Sequence, residues 1–396
     1  MSELSAAGPS QGARAVHVAM VAGEASGDLL AGLLLEGLRQ RWPQLTSAGI
    51  GGPQMARHGF AAWWPHHTLS VHGFGWEVLR RYREIVGIRK QLQARLLEQR
   101  PDVFIGVDAP DFNLDLERNL RGAGIKTVHF VCPSIWAWRP ERAEKIRASV
   151  DHVLCIFPFE PELLASHGIS ATYVGHPLAN VIPLEADRAA ARAALGLHDR
   201  DRVLALLPGS RVSEIKHLAL GFFQAAALVK QAHPAIKLIV PAVPTLRAAI
   251  EHAAAQAGLL EQVQIVSGQS HAVLAACDVT LIASGTATLE AALYKRPMVI
   301  AYRKSWLDWQ ITQRKRLQPW VGLPNILSRD FIVPELLQDR ATPRALADAV
   351  LQWLDDLDHQ PAKMATLQQQ FVTLHHSLRR DTPTLATDAI EKILAR

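Results

Sequence analysis

Short apolar runs alternate along this chain with longer stretches whose apolar positions recur every three to four residues. The runs at 16–22, 103–107, 127–131, 153–157 and 172–174 read as buried strands. Between them, residues 28–41 set Leu29, Leu30, Leu33, Leu34 and Leu38 on one helical face, and helices follow at 114–122, 139–148 and 160–167. The rhythm then restarts. Strands at 203–207, 237–240, 263–266, 279–283 and 298–302 alternate with helices at 212–233, 245–257, 271–276 and 287–294. Helices at 344–354, 363–378 and 383–394 close the chain. Strand–helix alternation predicts parallel sheets covered on both faces. The expected fold is α/β, two doubly wound Rossmann-like domains facing across a cleft that holds the ligand. The expected divisions are a polar tail over 1–14, a first domain over 15–180 and a second over 181–375. Residues 376–396 are a last helix that packs back on the first domain or on a partner subunit.

Composition narrows the class. With 49% hydrophobic and 20% charged residues the chain can fill two cores and is not disordered. No apolar stretch reaches the roughly eighteen residues of a membrane-spanning helix. The apolar run before Gly23 flows into a turn and a helical pattern, so it reads as a first strand and not as a signal peptide. Cys132, Cys155 and Cys277 are odd in number and far apart, which excludes a disulfide framework and predicts a reducing, cytoplasmic setting. None of the 17 histidines stands at a zinc spacing, and no metal is expected. A net charge of +5 does not announce a nucleic-acid binder, and none is expected as a partner. The charge is uneven, however: residues 76–100 hold seven Lys/Arg against three Glu, and 303–316 hold five against one Asp.

Two glycine turns in the second half carry the candidate chemistry. Leu207-Pro-Gly-Ser-Arg211 and Ala283-Ser-Gly-Thr-Ala-Thr-Leu-Glu290 each follow a buried strand and open a helix. Free amides and the positive end of the helix dipole make such a mouth an anion site, so the pair suggests a nucleoside diphosphate. Gly209, Ser210 and Arg211 would grip the diphosphate; Ser284, Gly285, Thr286 and Thr288 would cradle its oxygens. Glu290 is suited to the ribose hydroxyls, although the same glutamate would serve equally as a helix-capping group. Small residues that merely close tight turns are the competing explanation. The motifs are neither GxGxxG after the first strand nor GxxxxGK[ST], which disfavours a dinucleotide and excludes a P-loop.

In the first half, Asp108 stands just past the carboxyl end of the 103–107 strand, where a partly desolvated carboxylate is a usable general base. Asp111 competes, but with Asn113 it is better placed to cap the next helix. A plain turn-forming role for Asp108 stays open. Glu24, Ser26, Gly27 and Asp28 form a third helix mouth, suited to an anionic group on a second substrate or simply to a tight turn. The basic segment from Val71 to Val86 sets Phe74, Val78, Tyr82, Ile85 and Val86 at helical spacing with Arg80, Arg81 and Arg83 alongside. Val71, Phe74, Trp76, Val78 and Tyr82 could face a membrane or acyl chains, or pack on the core. Trp136 and Trp138 fit a sugar platform and a buried core equally.

Gly23-Glu-Ala-Ser-Gly-Asp28, Gly106-Val-Asp-Ala-Pro-Asp-Phe-Asn113, Pro133-Ser-Ile-Trp-Ala-Trp-Arg139, Leu207-Pro-Gly-Ser-Arg211, Ser284-Gly-Thr-Ala-Thr-Leu-Glu290 and Leu323-Pro-Asn325, in this order, resemble the lipid-A-disaccharide synthase family. The resemblance runs from about residue 16 to the end. It implies a GT-B glycosyltransferase of Gram-negative bacteria that joins UDP-2,3-diacylglucosamine to 2,3-diacylglucosamine 1-phosphate, giving a β-1,6-linked disaccharide 1-phosphate and UDP. It further implies that Asp108 is the general base, that Arg211 binds the nucleotide and that Asn325 lines the same pocket. No metal or other cofactor is implied. Family members are peripheral on the cytoplasmic face of the inner membrane and can dimerise through the C-terminal region. The chain departs from the pattern at Thr288 and across 306–320. Two other functions are the alternatives: a UDP-N-acetylglucosamine 2-epimerase on this scaffold, which leaves the basic aromatic segment at 71–90 unexplained, and a non-catalytic nucleotide-sugar or lipid-binding protein.

Overall fold

Two parallel sheets organise the protein. The computed structural model describes residues 15–69, 76–137, 140–305, 309–310, 313–314 and 316–396, with the side chains of 25, 67 and 76–82 outside that description. The expected tail over 1–14 therefore lies outside the described residues, as do Val71 and Phe74. The chain divides into two compact units, 1–177 together with 380–396, and 178–379.

The first unit runs β1 (His17–Ala22), α1 (Ala25–Arg41), β2 (Thr46–Gly51), α2 (Pro53–Ala56), β3 (Ala61–Pro65) and α3 (Trp76–Gln99). It continues through β4 (Val103–Val107), α4 (Pro110–Gly122), β5 (Lys126–Phe130), α5 (Arg142–Ser149), β6 (His152–Cys155), α6 (Glu160–Ser166) and β7 (Ala171–Tyr173). Strand order is β3-β2-β1-β4-β5-β6-β7, with every pairing parallel. The apolar runs are the strands because both faces are covered: β4 is buried throughout. Beneath it, Ile88, Leu92 and Leu96 of α3 meet Phe104, Phe112, Leu116 and Leu120. Trp63 and Trp64 pack against this cluster, and Arg95 lies 3.9 Å over the Trp63 ring. Strand β2 escapes sequence reading because Thr-Ser-Ala-Gly-Ile-Gly has few bulky residues. Gly49 is required there, at φ +142, since a Cβ would stand 2.1 Å from the Met20 carbonyl of β1.

The second unit contains α7 (Leu178–Val181), α8 (Arg188–Ala194), β8 (Val203–Leu207), α9 (Val212–Ala232), β9 (Lys237–Ala242), α10 (Arg247–Gln256), β10 (Val263–Ser267) and α11 (Ser270–Ala276). Then come β11 (Val279–Ala283), α12 (Thr286–Leu293), β12 (Met298–Tyr302), α13 (Leu323–Ser328), β13 (Glu335–Leu337), α14 (Pro343–His359) and α15 (Pro361–Leu378). Strand order is β10-β9-β8-β11-β12-β13. Helix α9 is the one described helix long and apolar enough to cross a bilayer. It buries Ile215, Leu218, Phe222, Phe223 and Val229, as a core helix does.

The unit boundaries fall a few residues from the expected ones, and hydrogen bonds show why. His375 Nε2 contacts the Ala179 carbonyl at 2.9 Å, tying α15 to α7 within the second unit. Thr382 Oγ1 donates to the Val174 carbonyl at 2.8 Å, and the last helix, α16 (Thr382–Leu394), lies along α1. Arg41 pairs with Asp388 at 2.6 Å and with Glu391. A Cβ on Gly37 would stand 2.5 Å from the Pro383 carbonyl, so the two helices touch backbone to backbone.

Candidate functional site

In each unit the strand order reverses direction once. In the first unit the reversal is between β1 and β4, and in the second between β8 and β11. At such a switch point the loops leaving two neighbouring strands diverge to opposite faces and leave a crevice at the carboxyl edge. The sequence-derived candidates flank these two points, apart from Asn325 and the membrane-facing set.

At the β1–β4 edge, Glu24 is the residue before α1, makes no capping hydrogen bond with its side chain and is exposed, as is Ser26. A Cβ on Gly23 would lie 3.6 Å from Ala109 Cβ, so the turn after β1 adjoins the turn after β4. Asp28 plays a different part. It is buried, and its carboxylate accepts from the amides of Gly52 (2.8 Å), Gln54 (2.9 Å) and Met55 (3.2 Å), capping α2. Both oxygens are engaged inside the protein, so Asp28 shapes this mouth from beneath.

Asp108 stands partly exposed at the end of β4, at φ +53, and Ala109 follows at φ +44. Two consecutive left-handed residues without glycine are held in place from both sides. The Asp108 amide donates to Phe130 O (2.8 Å), and its carbonyl accepts from Asn113 Nδ2 (2.8 Å). This corrects the expected cap: α4 begins at Pro110 after Ala109, Asn113 is buried on its inner side, and exposed Asp111 pairs with Arg142 at 2.6 Å. Trp136 is partly buried; its indole N–H donates to Glu160 Oε1 (3.1 Å), and its ring meets Phe157 and Phe159 edge-on. Trp138 lies outside the described residues. Helix α3 includes Trp76, Val78 and Tyr82, whose side chains are likewise outside the description.

At the β8–β11 edge, Arg211 is the residue before α9, and its side chain is 77% exposed. The turn holds a group that motif reading missed. Glu214 Oε2 accepts from the amides of Ser210 (2.8 Å) and Arg211 (3.2 Å), and its Oε1 lies 3.5 Å from the Arg211 guanidinium. Gly209, at φ +131, makes room for it, since a Cβ there would be 2.4 Å from Glu214 Cβ. The amides expected to bind phosphate are therefore engaged by the protein's own carboxylate. The signal was the Arg211-x-x-Glu214 spacing of a helix start.

Next to it, Gly285 and Thr286 are exposed at the mouth of α12. The Ser284 hydroxyl donates to Val321 O (2.8 Å). Thr288 is buried, donating to Gly285 O (2.8 Å) and accepting from the Leu323 amide (3.3 Å). Asn325 is also buried. Its amide donates to Val333 O and Glu335 Oε1, both at 2.9 Å, and its oxygen accepts from Val333 N at 3.1 Å. Thr288 and Asn325 thus brace the rim with every side-chain polar atom engaged, where the sequence expectation had them face the ligand. Glu335, unseen in the sequence reading, completes the brace by accepting from the amides of Val321 (2.9 Å) and Gly322 (2.8 Å). Glu290 is largely buried, with His271 Nε2 at 3.6 Å. Burial pushes its carboxyl up, and His271 pulls it back only in part. His271 is a further residue that no motif revealed. Among the described residues, no three His, Cys, Asp or Glu side chains gather as metal ligands would.

The family model described as lipid-A-disaccharide synthetase matches residues 18–390. A lipid-A-disaccharide synthase of Albidiferax ferrireducens is 75% identical over 96% of this chain and 97% of its own length. One from Verminephrobacter eiseniae is 65% identical over 96% and 98%. Among solved structures, the glycosyltransferase of kitacinnamycin aligns with a TM-score of 0.61 at 18% identity, over 96% of this chain and 100% of that one. An Anabaena protein in complex with UDP and glucose aligns at 0.56 and 13%, over 96% and 99%. A UDP-GlcNAc 2-epimerase from Neisseria meningitidis, bound to UDP-GlcNAc, aligns at 0.55 and 12%, over 96% and 100%. At such identities the likeness concerns the fold alone, which is that of GT-B glycosyltransferases.

Proposed function

Because the chain belongs to the lipid-A-disaccharide synthetase family, we propose that its two switch-point edges serve the two substrates of one glycosyl transfer. The protein is a glycosyltransferase of lipid A synthesis. It joins UDP-2,3-diacylglucosamine to 2,3-diacylglucosamine 1-phosphate, forming the β-1,6-linked disaccharide 1-phosphate and releasing UDP. The observation that carries the assignment of groups is the pinned Asp108 turn at the β1–β4 edge, where a partly exposed aspartate has both backbone polar atoms already satisfied.

In this reading Asp108 takes the proton of the acceptor's 6-hydroxyl as that oxygen attacks the anomeric carbon. The new C–O bond forms opposite the bond to UDP, which breaks and carries its electron pair away with the diphosphate. Configuration inverts from α to β. Arg211 and the amino end of α12 stabilise the departing charge, with Ser284, Gly285 and Thr286 around the phosphates and Glu290 toward the ribose. Gly209 and Ser210 join once Glu214 yields their turn. Glu24, Ser26 and Gly27 receive the acceptor's anionic end. Thr288, Asn325 and Asp28 support these contacts from the second layer. The basic helix α3, with Trp76, Val78 and Tyr82 and the preceding Val71 and Phe74, rests on the cytoplasmic face of the inner membrane. A homodimer through the C-terminal region fits the same reading.

Replacing Asp108 with Ala should lower turnover at least about a hundredfold, in the range of general-base contributions, while UDP affinity is kept. Near-normal turnover would remove Asp108 from the mechanism. UDP-N-acetylglucosamine offered alone should give no manno epimer.

A further inference from the structure

Beneath Asp108 lies a polar cluster that the reaction does not use. Asn113 and Glu117, one turn apart on α4, both point inward and are fully buried, as is His129 on β5. His129 Nδ1 lies 2.8 Å from Glu117 Oε1. Gly106 is the β4 residue paired with His129, and a Cβ there would stand 2.2 Å from Glu117 Oε1 and 2.8 Å from Asn113 Cβ. Helix and strand meet here at the closest approach a glycine allows.

We propose that Glu117 and His129 form a buried positioning pair for Asp108, locking α4 to β5 so that the left-handed turn at 108–109 holds its carboxylate at the sheet edge. The inference rests on Asp108 being the base. The same two elements grip the Asp108 backbone: Asn113 of α4 holds its carbonyl, and Phe130, the residue after His129, holds its amide. The Glu117–His129 contact ties those elements together one layer below.

The pair does not look like a device for stability. Asn113 Oδ1, Glu117 Oε2 and His129 Nε2 are buried with no hydrogen-bond partner, half of all such side-chain atoms among the described residues, which number six. Each unmatched polar atom costs stability, and apolar side chains of similar size would fill the space more favourably. A local rule broken at three side chains of one cluster beneath a left-handed turn is the pattern expected at a functional site. The pair also senses Asp108. Burial pulls His129 down, yet the facing Glu117 carboxylate and then Asp108 outweigh it, leaving the imidazole raised. The other charges packed around α4 are engaged on its outer side. Arg89 of α3 and Lys145 of α5 meet Asp115, and Arg142 of α5 meets Asp111.

The test is the double variant Glu117→Met, His129→Leu in the full-length protein. It should unfold at the same or a higher temperature than the parent, while kcat falls about tenfold or more and both KM values stay within about twofold, as for a misplaced base. A variant as stable and as fast as the parent overturns the proposal. Should it fail to fold, the parent protein decides. With nitrogen-labelled imidazoles, Asp108→Asn should shift the ring signals assigned to His129 through His129→Gln. An unmoved signal overturns the pair as a partner of Asp108. Full turnover by Asp108→Asn would instead overturn the base assignment, and the two failures are read separately.

Discussion

Glu160 opens α6 with its carboxylate accepting from the Phe157 amide at 3.0 Å and from Trp136 Nε1 at 3.1 Å. From sequence it is an ordinary acidic residue in a first helical turn. The aromatic side chains folded over it bury it, and burial pushes its carboxyl up to about 8, against the pull of those donors. An acid raised on folding holds its proton more tightly in the folded chain. Its contribution to stability is therefore full below about 4.5 and is lost as pH rises toward about 8. His152 and His176, both lowered to about 4 by burial, act in the opposite sense, losing stability as pH falls from 6.5. Denaturant titrations of the parent and of Glu160→Gln, compared between pH 5 and 8, should diverge by up to about 1.4 kcal/mol per pH unit, the variant gaining on the parent as pH rises. Parallel curves would mean that Glu160 is solvated. The groups missed in the sequence, Glu214 apart, share one cause. Glu214 was legible from its spacing, but Glu335, His271 and the Glu117–His129 pair acquire their roles only through partners brought in from other elements.

Among elements, the buried parallel strands were the most readable. Residues 103–107, 203–207 and 279–283 are strands with the bounds that their apolar runs suggested. Helix α1 starts at Ala25, three residues before the expected start, directly after Glu24, whose backbone is still extended. Strands β2, β3 and β13 were unread: β2 is made of small residues, and the other two are short edge strands whose residues are at best half-buried. Helix α3 combines both outcomes. Ile85 packs against the core cluster that its later turns enter with Ile88, Leu92 and Leu96, which accounts for part of the amphipathic pattern without a membrane. The membrane assignment concerns its beginning. Changing Arg80, Arg81 and Arg83 to Gln should weaken co-sedimentation with anionic vesicles about fivefold per charge at low salt, given ~1 kcal/mol per basic residue near such a surface. Unchanged sedimentation would assign those arginines to solvent.

For the whole molecule, the decisive feature is that the first unit is assembled from both ends of the chain, whereas the second is continuous. Helix α16 lies along α1 with Ala386, Ala389, Ile390 and Ile393 buried, and Arg41 bridges to its Asp388 and Glu391. Deleting 380–396 should leave limited proteolysis to cut first within 15–177, with 178–379 resisting longer. First cuts in the continuous unit would show that the last helix is dispensable to the sheet it lies beside. An order of birth follows as well. The ribosome delivers the second unit as one uninterrupted stretch, so every strand of its sheet is made before the helix that closes the first. The first sheet, begun earliest, has its α1 flank bare until α16 is made, so the sheet whose edge carries Asp108 is completed after the one whose edge carries Arg211.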